Sequence, residues 1–464
     1  MSNLKSTVER VNGAVTQAGR AAWLVAYDIN GIQQLVTSSN RPIAMRGASR
    51  TIQRFDNEQA AHELSIFAGG GRGYTLARSK DEAQNRIAQL QREFRELTIS
   101  GVLAADAVPY DYTRPHESLV WLRRKLDNAK DAARPPGGVL PANKDEQCED
   151  CHTLRAERTI NAGDDLRRIC ARCDNFIKHA RKDDPAFKKS LLDYANQEDG
   201  TLAAVSADGN NMGALFGMLR TLEQMAVVSV AVARIFESAH EQAVGANDRK
   251  ILAPVTGGDD IRAFMAPELV LDYVEALARG IEDGARTAGD LDGVLSSRAQ
   301  VEAFKNIGIG IGAAIAWAHY PASALLNHAH MLERRAKAIC RDANGSRSAF
   351  DFAILKSEDP AHENRQVMPM SMEQTVWRKA IDAGQALRNV PSAQRAMLSE
   401  RFTISSREEH DNLIRYQVAR SKAWQVWFGH CRVDWTDPDE LHRHIVATRL
   451  DLLDLLPRPK DPNA

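Results

Sequence analysis

Cysteine is scarce in this chain, at six among 464 residues. That excludes a secreted, disulfide-stapled scaffold. Net charge is scarce too: 60 Lys and Arg against 61 Asp and Glu leave a formal charge of −1. A strongly basic, histone-like binder is excluded, although a local basic patch is not. Long apolar runs are also missing. The most apolar stretches, 225–233 and 307–318, fall short of the roughly 20 residues that span a bilayer. Residues 1–20 hold no apolar run of signal-peptide length. The expectation is a chain that stays out of the membrane and works in a reducing cytoplasm.

With 44% hydrophobic and 26% charged residues, the composition is that of a globular protein. The length predicts about three domains. Residues 22–104 read as a small α/β unit. A strand over 22–27 ends at Asp28, and a helix covers 47–64. Strands over 65–68 and 73–77 are joined by Gly69, Gly70, Gly71 and Arg72. A helix over 81–97 and a strand over 99–104 follow. Residues 200–356 repeat the pattern on a larger scale. A strand over 202–207 ends at Asp208, and a long helix covers 213–241. Strands over 251–256 and 261–265 flank Gly257, Gly258, Asp259 and Asp260. A helix over 267–287, a strand over 307–318, a helix over 322–341 and a strand over 348–355 complete it. Each first strand ends in Asp and each hairpin carries tandem glycines. The pattern predicts an internal duplication of a ferredoxin-like unit. Residues 135–147, which begin with Pro-Pro-Gly-Gly, read as a linker. Residues 372–456 read as amphipathic helices, with 450–456 as a Leu/Asp-rich last turn.

The acidic hairpin is the sharpest chemical signal. Its glycines permit positive φ and close approach of a ligand to the backbone. One carboxylate cannot hold two divalent ions, so a partner is needed. Asp208 is the natural one, because a ferredoxin-like sheet lays its first strand beside the central hairpin. Asp208, Asp259 and Asp260 would bind Mg²⁺ or Mn²⁺, and with it a triphosphate. Two such ions activate a 3′-hydroxyl and stabilise a pyrophosphate leaving group. Gly209, Asn210 and Asn211 lead into the next helix, whose backbone N–H groups suit phosphate oxygens. Lys337 is a candidate cation for the same phosphates.

Cys148, Cys151, Cys170 and Cys173 form C-x2-C-x18-C-x2-C, the spacing of a closed four-thiolate Zn²⁺ site with a structural role. Cys340 and Cys431 read as ordinary buried cysteines. Residues 152–182 hold eight Lys and Arg against four acids. That surplus fits RNA phosphates or a partner subunit, and fits a solvated charged face equally well. Aromatic residues do not interleave with it as in a direct single-strand binder.

Taken in order, these motifs resemble the large, polymerase-like subunit of type III CRISPR–Cas effector complexes. The residues that carry the resemblance are Asp28 to Gln33, Arg46 to Ser49 and Ala68 to Gly71 in the first unit. In the second they are Ala207 to Gly213, Gly257 to Asp260, and Ala336 with Lys337. The cysteine cluster lies between the two sets. The resemblance implies an α+β fold with two ferredoxin-like palm (cyclase-like) domains, a four-cysteine zinc element and a C-terminal helical domain. The expected plan is a degenerate first palm over 1–110, a helical linker and zinc domain over 111–199, the GGDD palm over 200–360, and helices over 361–464. In this family the second palm joins ATP through 3′–5′ bonds and closes the product into cyclic oligoadenylates. These are second messengers of antiviral defence, made when target RNA is bound. Carried over, Asp208, Asp259 and Asp260 hold the catalytic metals and Gly257 and Gly258 approach the nucleotide. The partners implied are ATP, guide RNA, target RNA and smaller effector subunits.

Three departures stand out. About 20 residues precede the first palm, so the family's N-terminal HD nuclease is not expected, and His410 with Asp411 reads as a surface helix. Asn210 stands where the family commonly has an acid. Arg72 stands where the second palm has aspartate, which predicts a silent first palm with a structural Asp28. Two competing functions remain at this level. One is a scaffold subunit of a guide-RNA complex. The other is a stand-alone palm cyclase, working as a dimer, that makes another cyclic nucleotide.

Overall fold

The structure is a computed structural model. It describes residues 2–39, 41–133, 144–162, 165–181, 190–289, 291, 293–342, 347–355, 369–387 and 390, then 412, 415, 416, 418–431, 436 and 437. Most of the 135–147 linker, the His410–Asp411 pair and residues 450–456 lie outside these residues.

A helix unanticipated from sequence, α1 (Ser2–Ala18), opens the chain. Val11, Ala14 and Ala18 are buried along one side of it, the three-to-four spacing of an amphipathic helix. The first palm follows as β1 (Trp23–Asn30), α2 (Ile32–Val36), α3 (Pro42–Ala60), β2 (Ser65–Gly69), β3 (Arg72–Ala77), α4 (Lys80–Thr98) and β4 (Val102–Pro109). Its sheet runs β2-β3-β1-β4, antiparallel throughout. That is the ferredoxin-like order the repeat predicts. Several limits shift from the sequence reading. Strand β1 runs two residues past Asp28. Helix α3 starts five residues early because Pro42 suits a first helical turn. The last strand lies over Val102–Pro109 rather than 99–104, because Ile99 stops α4 with a positive φ of 66°.

Helix α5 (Pro115–Ala132) leads to the cysteine element. That element is a hairpin of β5 (Arg158–Ala162) and β6 (Asp165–Ile169), followed by α6 (Ala171–Arg181). The second palm comprises β7 (Thr201–Asn210), α7 (Met212–Met218), α8 (Leu222–Val244), β8 (Ile251–Gly257), β9 (Asp260–Met265), α9 (Val270–Ala288), α10 (Arg298–Lys305), β10 (Gly308–Trp317), α11 (Ala322–Asp342), β11 (Ala349–Ile354) and β12 (Met370–Ser371). Its sheet order is β12-β11-β10-β7-β9-β8. The four strands β10-β7-β9-β8, at one end of the sheet, repeat the first palm's order. β11 is added parallel to β10 by the α11 crossover. The long helix expected over 213–241 is two helices, because Thr221 caps a new one by accepting the Gln224 N–H.

Alternation along the first strand of each palm divides the core. In β1, Leu24 and Ala26 face α1 and α5, while Val25, Tyr27 and Ile29 face α3 and α4. In β7, Ala203, Val205 and Ala207 face α8 and α9, while Leu202 and Ala204 face α11. The even positions of β7 therefore set Ser206 and Asp208 on the α11 side. C-terminal helices α12 (Gln374–Leu387) and α13 (Lys422–Cys431) pack together. Trp377 of α12 is 2% exposed, sits on Phe350 and donates its indole N–H to Glu275. Among the described residues, no helix is long and apolar enough to cross a membrane.

Candidate active site

The two palms place the same backbone positions side by side and fill them differently. In the first, Asp28 of β1 lies opposite Arg72 of β3. In the second, Asp208 of β7 lies opposite Asp260 of β9. Asp28 is 6% exposed and pairs with Arg72 Nε at 2.9 Å and with Lys130 Nζ of α5. Asn30 adds an Nδ2 donor to the carbonyls of Lys130 and Ala133. The first palm's Asp–Asn motif therefore seats α5, with Asp28 held between two cations.

In the second palm the cation comes from α11. Lys337 Nζ pairs with Asp208 and lies 3.6 Å from Glu333. Gly310 faces Asp208 across the strand pair, and a Cβ there would lie 2.4 Å from Lys337 Cγ. At Gly312 the same atom would lie 2.1 Å from the Ala329 carbonyl. Alternate glycines on β10 thus let α11 close onto the sheet, and this brings Lys337 to Asp208. Beneath it, Glu333 is 1% exposed and accepts from Ser206 Oγ, with His330 Nδ1 at 3.1 Å. Burial pushes the Glu333 carboxyl up, but His330, Ser206 and Lys337 outweigh it and hold the group below its usual value.

Asp259 sits at the hairpin, where its carbonyl accepts the Gly209 N–H at 3.1 Å. Burial, then the nearby Asp208 carboxylate, push its pKa up to about 7. This like-charge pair is the feature that calls for a divalent cation. Asp260 is engaged elsewhere. Its Oδ1 lies 3.4 Å from Arg262 Nε and its Oδ2 accepts from Gln33 Nε2 at 3.2 Å. The three carboxylates do not converge on one point. Among the described residues, only the cysteine set has three or more ligand atoms within 4.8 Å of one another.

Gln33 belongs to the first palm, and it is not the only group to cross. The hairpin tips meet: a Cβ on Gly70 would lie 3.6 Å from Gly258 Cα, and both glycines hold φ near +64°. The Arg72 side chain is exposed; desolvation by neighbouring atoms lowers its pKa, and the carboxylates of Asp28, Asp259 and Asp208 outweigh that and raise it. Asn210 turns away from the hairpin and donates Nδ2 to the Arg347 carbonyl. Asn211 is exposed and in the left-handed region, at φ 63°. Gly257 is exposed at the rim. Helix α7 has only seven residues, so the phosphate-facing helix start is weaker than a long helix would give. Sequence reading missed Gln33, Arg262, Glu333 and the alternating glycines of β10. The glycines alone left a local signal.

The four cysteines are buried and converge, with Cys151 and Cys170 sulfurs 3.8 Å apart. Neighbouring thiols, then burial, push Cys170 up, a crowding of sulfurs that a shared cation relieves. The donor set fits Zn²⁺. Arg155, Arg158, Arg167 and Arg168 pair with Glu146, Asp174, Asp150 and Glu149. The basic surplus beside the cysteines is thus largely neutralised within the element. Cys340 is half-buried rather than buried, with Asn210 as a hydrogen-bond partner. The side chain of Cys431 lies outside the described residues.

A duplicated palm with an acidic hairpin at the palm–palm contact defines a cyclase-like nucleotidyltransferase fold. Residues 201–345 match the family model described as Cas10/Cmr2, second palm domain. The match covers the second palm, and the resemblance to the large subunit of type III CRISPR–Cas effectors holds. The chain is similar in fold to a Csm1–Csm4 cassette in complex with cA4, with a TM-score of 0.58 and 13% identity. It is similar also to Csm1 of T. onnurineus (0.54, 12%) and to a Csm1–Csm4 cassette in complex with AMPPNP (0.51, 13%). Each likeness covers 94% of this chain and 72% of the other. No curated protein matches the chain.

Proposed function

We propose that the second palm is a metal-dependent nucleotidyltransferase that condenses ATP into cyclic oligoadenylates within a type III CRISPR-like complex. The observation that carries this reading is the acidic cluster at the palm–palm contact, where Asp208 lies across the strand pair from Asp260 and next to the turn that carries Asp259. Asp208 and Asp259 would hold Mg²⁺ or Mn²⁺, which supplies activation of a 3′-hydroxyl and neutralises the pyrophosphate leaving group. The chain's own groups do the rest. Gly258 keeps the hairpin tip narrow, so that a nucleotide can approach the backbone. Lys337, paired with Asp208 in this structure, would supply a cation to the triphosphate. Arg72, from the first palm, adds positive charge near the same phosphates. The complexes of similar fold carry cA4 or AMPPNP, which supports adenine nucleotides as substrate and product. By the same likeness we infer a Csm4-like partner subunit, and from the family resemblance alone a guide RNA with target RNA as activator.

The test is incubation of the purified protein with labelled ATP, and separately GTP, with Mg²⁺ or Mn²⁺. It is repeated on the guide-loaded complex with target RNA, and products are resolved by mass. A cyclic oligoadenylate ladder is expected from ATP. The double variant Asp259→Ala, Asp260→Ala should give none while keeping its fold and its metal content at the cysteines. Residual condensation in that variant would sink the site assignment. Absence of product from the activated wild-type complex would leave the scaffold reading.

A further inference from the structure

Asp259 and Asp260 are neighbours in sequence and both feel the charge of Asp208, yet their partners differ. Asp259 sits at the turn, where its carbonyl accepts the Gly209 N–H. Asp260 lies directly across the strand pair from Asp208, on the face of β9 that carries Arg262, and Arg262 is 2% exposed. The guanidinium Nε and Nη2 of Arg262 are buried without a hydrogen-bond partner, as is Asp260 Oδ1. They stand opposite one another at 3.4 Å, so a shift of a few tenths of an ångström closes a charge-assisted bond. The other oxygen, Oδ2, accepts from Gln33. A divalent ion on Oδ1 would sit against a buried guanidinium with little solvent to screen the repulsion. An ion on Oδ2 would displace the hydrogen bond that Gln33 of the first palm donates to this aspartate.

We propose that Asp260 is a positioning residue and not a metal ligand. Asp208 and Asp259 then carry the ions, while Asp260, clamped between Arg262 and Gln33, locks the second palm's hairpin to the first palm. This rests on the reading of the second palm as a metal-dependent nucleotidyltransferase and deepens it. It also alters one expectation from sequence, in which both hairpin aspartates were ligands. The clamp gives the silent first palm a part in the site: it presents Gln33, just beyond the Asp–Asn strand end that seats α5.

The test measures Mn²⁺ binding to the full chain with AMPPNP, by electron paramagnetic resonance and calorimetry, and follows ATP turnover separately. Asp208→Asn and Asp259→Asn are each expected to weaken Mn²⁺ binding by about 100-fold or more, at or beyond the top of the range for residues that only orient ligands. Asp260→Asn strands the Arg262 charge and should weaken it only about tenfold, a loss typical of a residue that orients ligands without touching the metal. Adding Arg262→Met to Asp260→Asn removes the stranded charge and should restore binding to within about threefold of wild type. Gln33→Ala should keep the Mn²⁺ spectrum and the KM for ATP while lowering kcat about tenfold. If the Asp260→Asn, Arg262→Met double variant binds Mn²⁺ as poorly as Asp259→Asn, Asp260 is a ligand and the proposal falls. If Gln33→Ala raises KM or changes the Mn²⁺ spectrum instead, the clamp across the palms falls. If wild type binds Mn²⁺ at the aspartates but forms no product when activated, the catalytic reading fails alone. If it binds none there, both fail.

Discussion

At the scale of single residues, partners decide what a carboxylate does. Asp28 and Asp208 occupy equivalent strand positions, but two cations hold the first while a flexible lysine and a facing acid surround the second. Asp56 on α3 is a third case. It is 4% exposed and accepts from the Gly71 N–H at 2.7 Å and from Tyr27 Oη at 3.0 Å, so it pins the first hairpin. Burial pushes its pKa up to about 7, against the pull of those two bonds. A raised acid binds its proton more tightly in the folded state. Its stabilising effect is therefore complete below about pH 4 and is lost as pH rises through about 7. The slope is at most about 1.4 kcal/mol per pH unit in that window. Asp56→Asn removes this contribution, so its Tm should fall less than that of wild type between pH 4 and 7. Asp259 shifts in the same direction and keeps part of the slope in both proteins. Parallel Tm curves for the two proteins would show that Asp56 is not the titrating group.

At the scale of elements, the cysteine module is a hairpin and a helix, too small to hold an apolar core without a staple. Its sulfurs pack with Ile43 and Ala44 of α3, Ile169 of β6, and Ile177 and Ala180 of α6. Helix α6 lies so close to α3 that a Cβ on Gly47 would fall 1.8 Å from the Phe176 carbonyl. Metal binding and docking on the first palm are thus coupled. One zinc per chain is expected by elemental analysis. Releasing it with a mercurial and a chelator, or making Cys148→Ser with Cys151→Ser, should raise amide exchange over 148–181 and then along the outer turns of α3. Unchanged exchange after full metal release would mean that the element is held by packing alone. Signals of this range were readable in the sequence where they are local. The two CxxC pairs, the tandem glycines and the apolar run ending in Asp that opens each palm are all short-range patterns. Thr221 with Gln224 was a readable helix start hidden within an apolar run. The bond from Gln33 to Asp260 spans 227 positions, and no local pattern encodes it. Arg262 looks like one polar residue in a strand until the fold buries it.

At the scale of the whole molecule, neither palm has a core of its own. One apolar cluster joins α1, α5 and the even face of β1 to α8, α9 and the odd face of β7. The other joins α3, α4 and Val25 to Leu202, Phe264 and the α11 residues Leu325 and Leu326. Helix α1 ties the halves further, with Arg10 donating to the carbonyls of Ser65 and Ile66 while its apolar side packs on α8. Arg46 of α3 donates to the Ala253 carbonyl of β8. Cutting between the palms would expose both clusters, and burial of apolar surface is the main term that stabilises a fold. The palms should therefore melt together. Calorimetry of the full chain is expected to give one transition for both, with equal calorimetric and van't Hoff enthalpies for that unit. Residues 200–360 expressed alone should be insoluble or bind a dye for exposed apolar surface. Two resolved palm transitions, or a soluble and cooperatively folded 200–360, would show that each palm closes its own core. In that case the first palm would act on the second through the hairpin contacts at Gly70, Gly258 and Gln33 rather than through a shared interior.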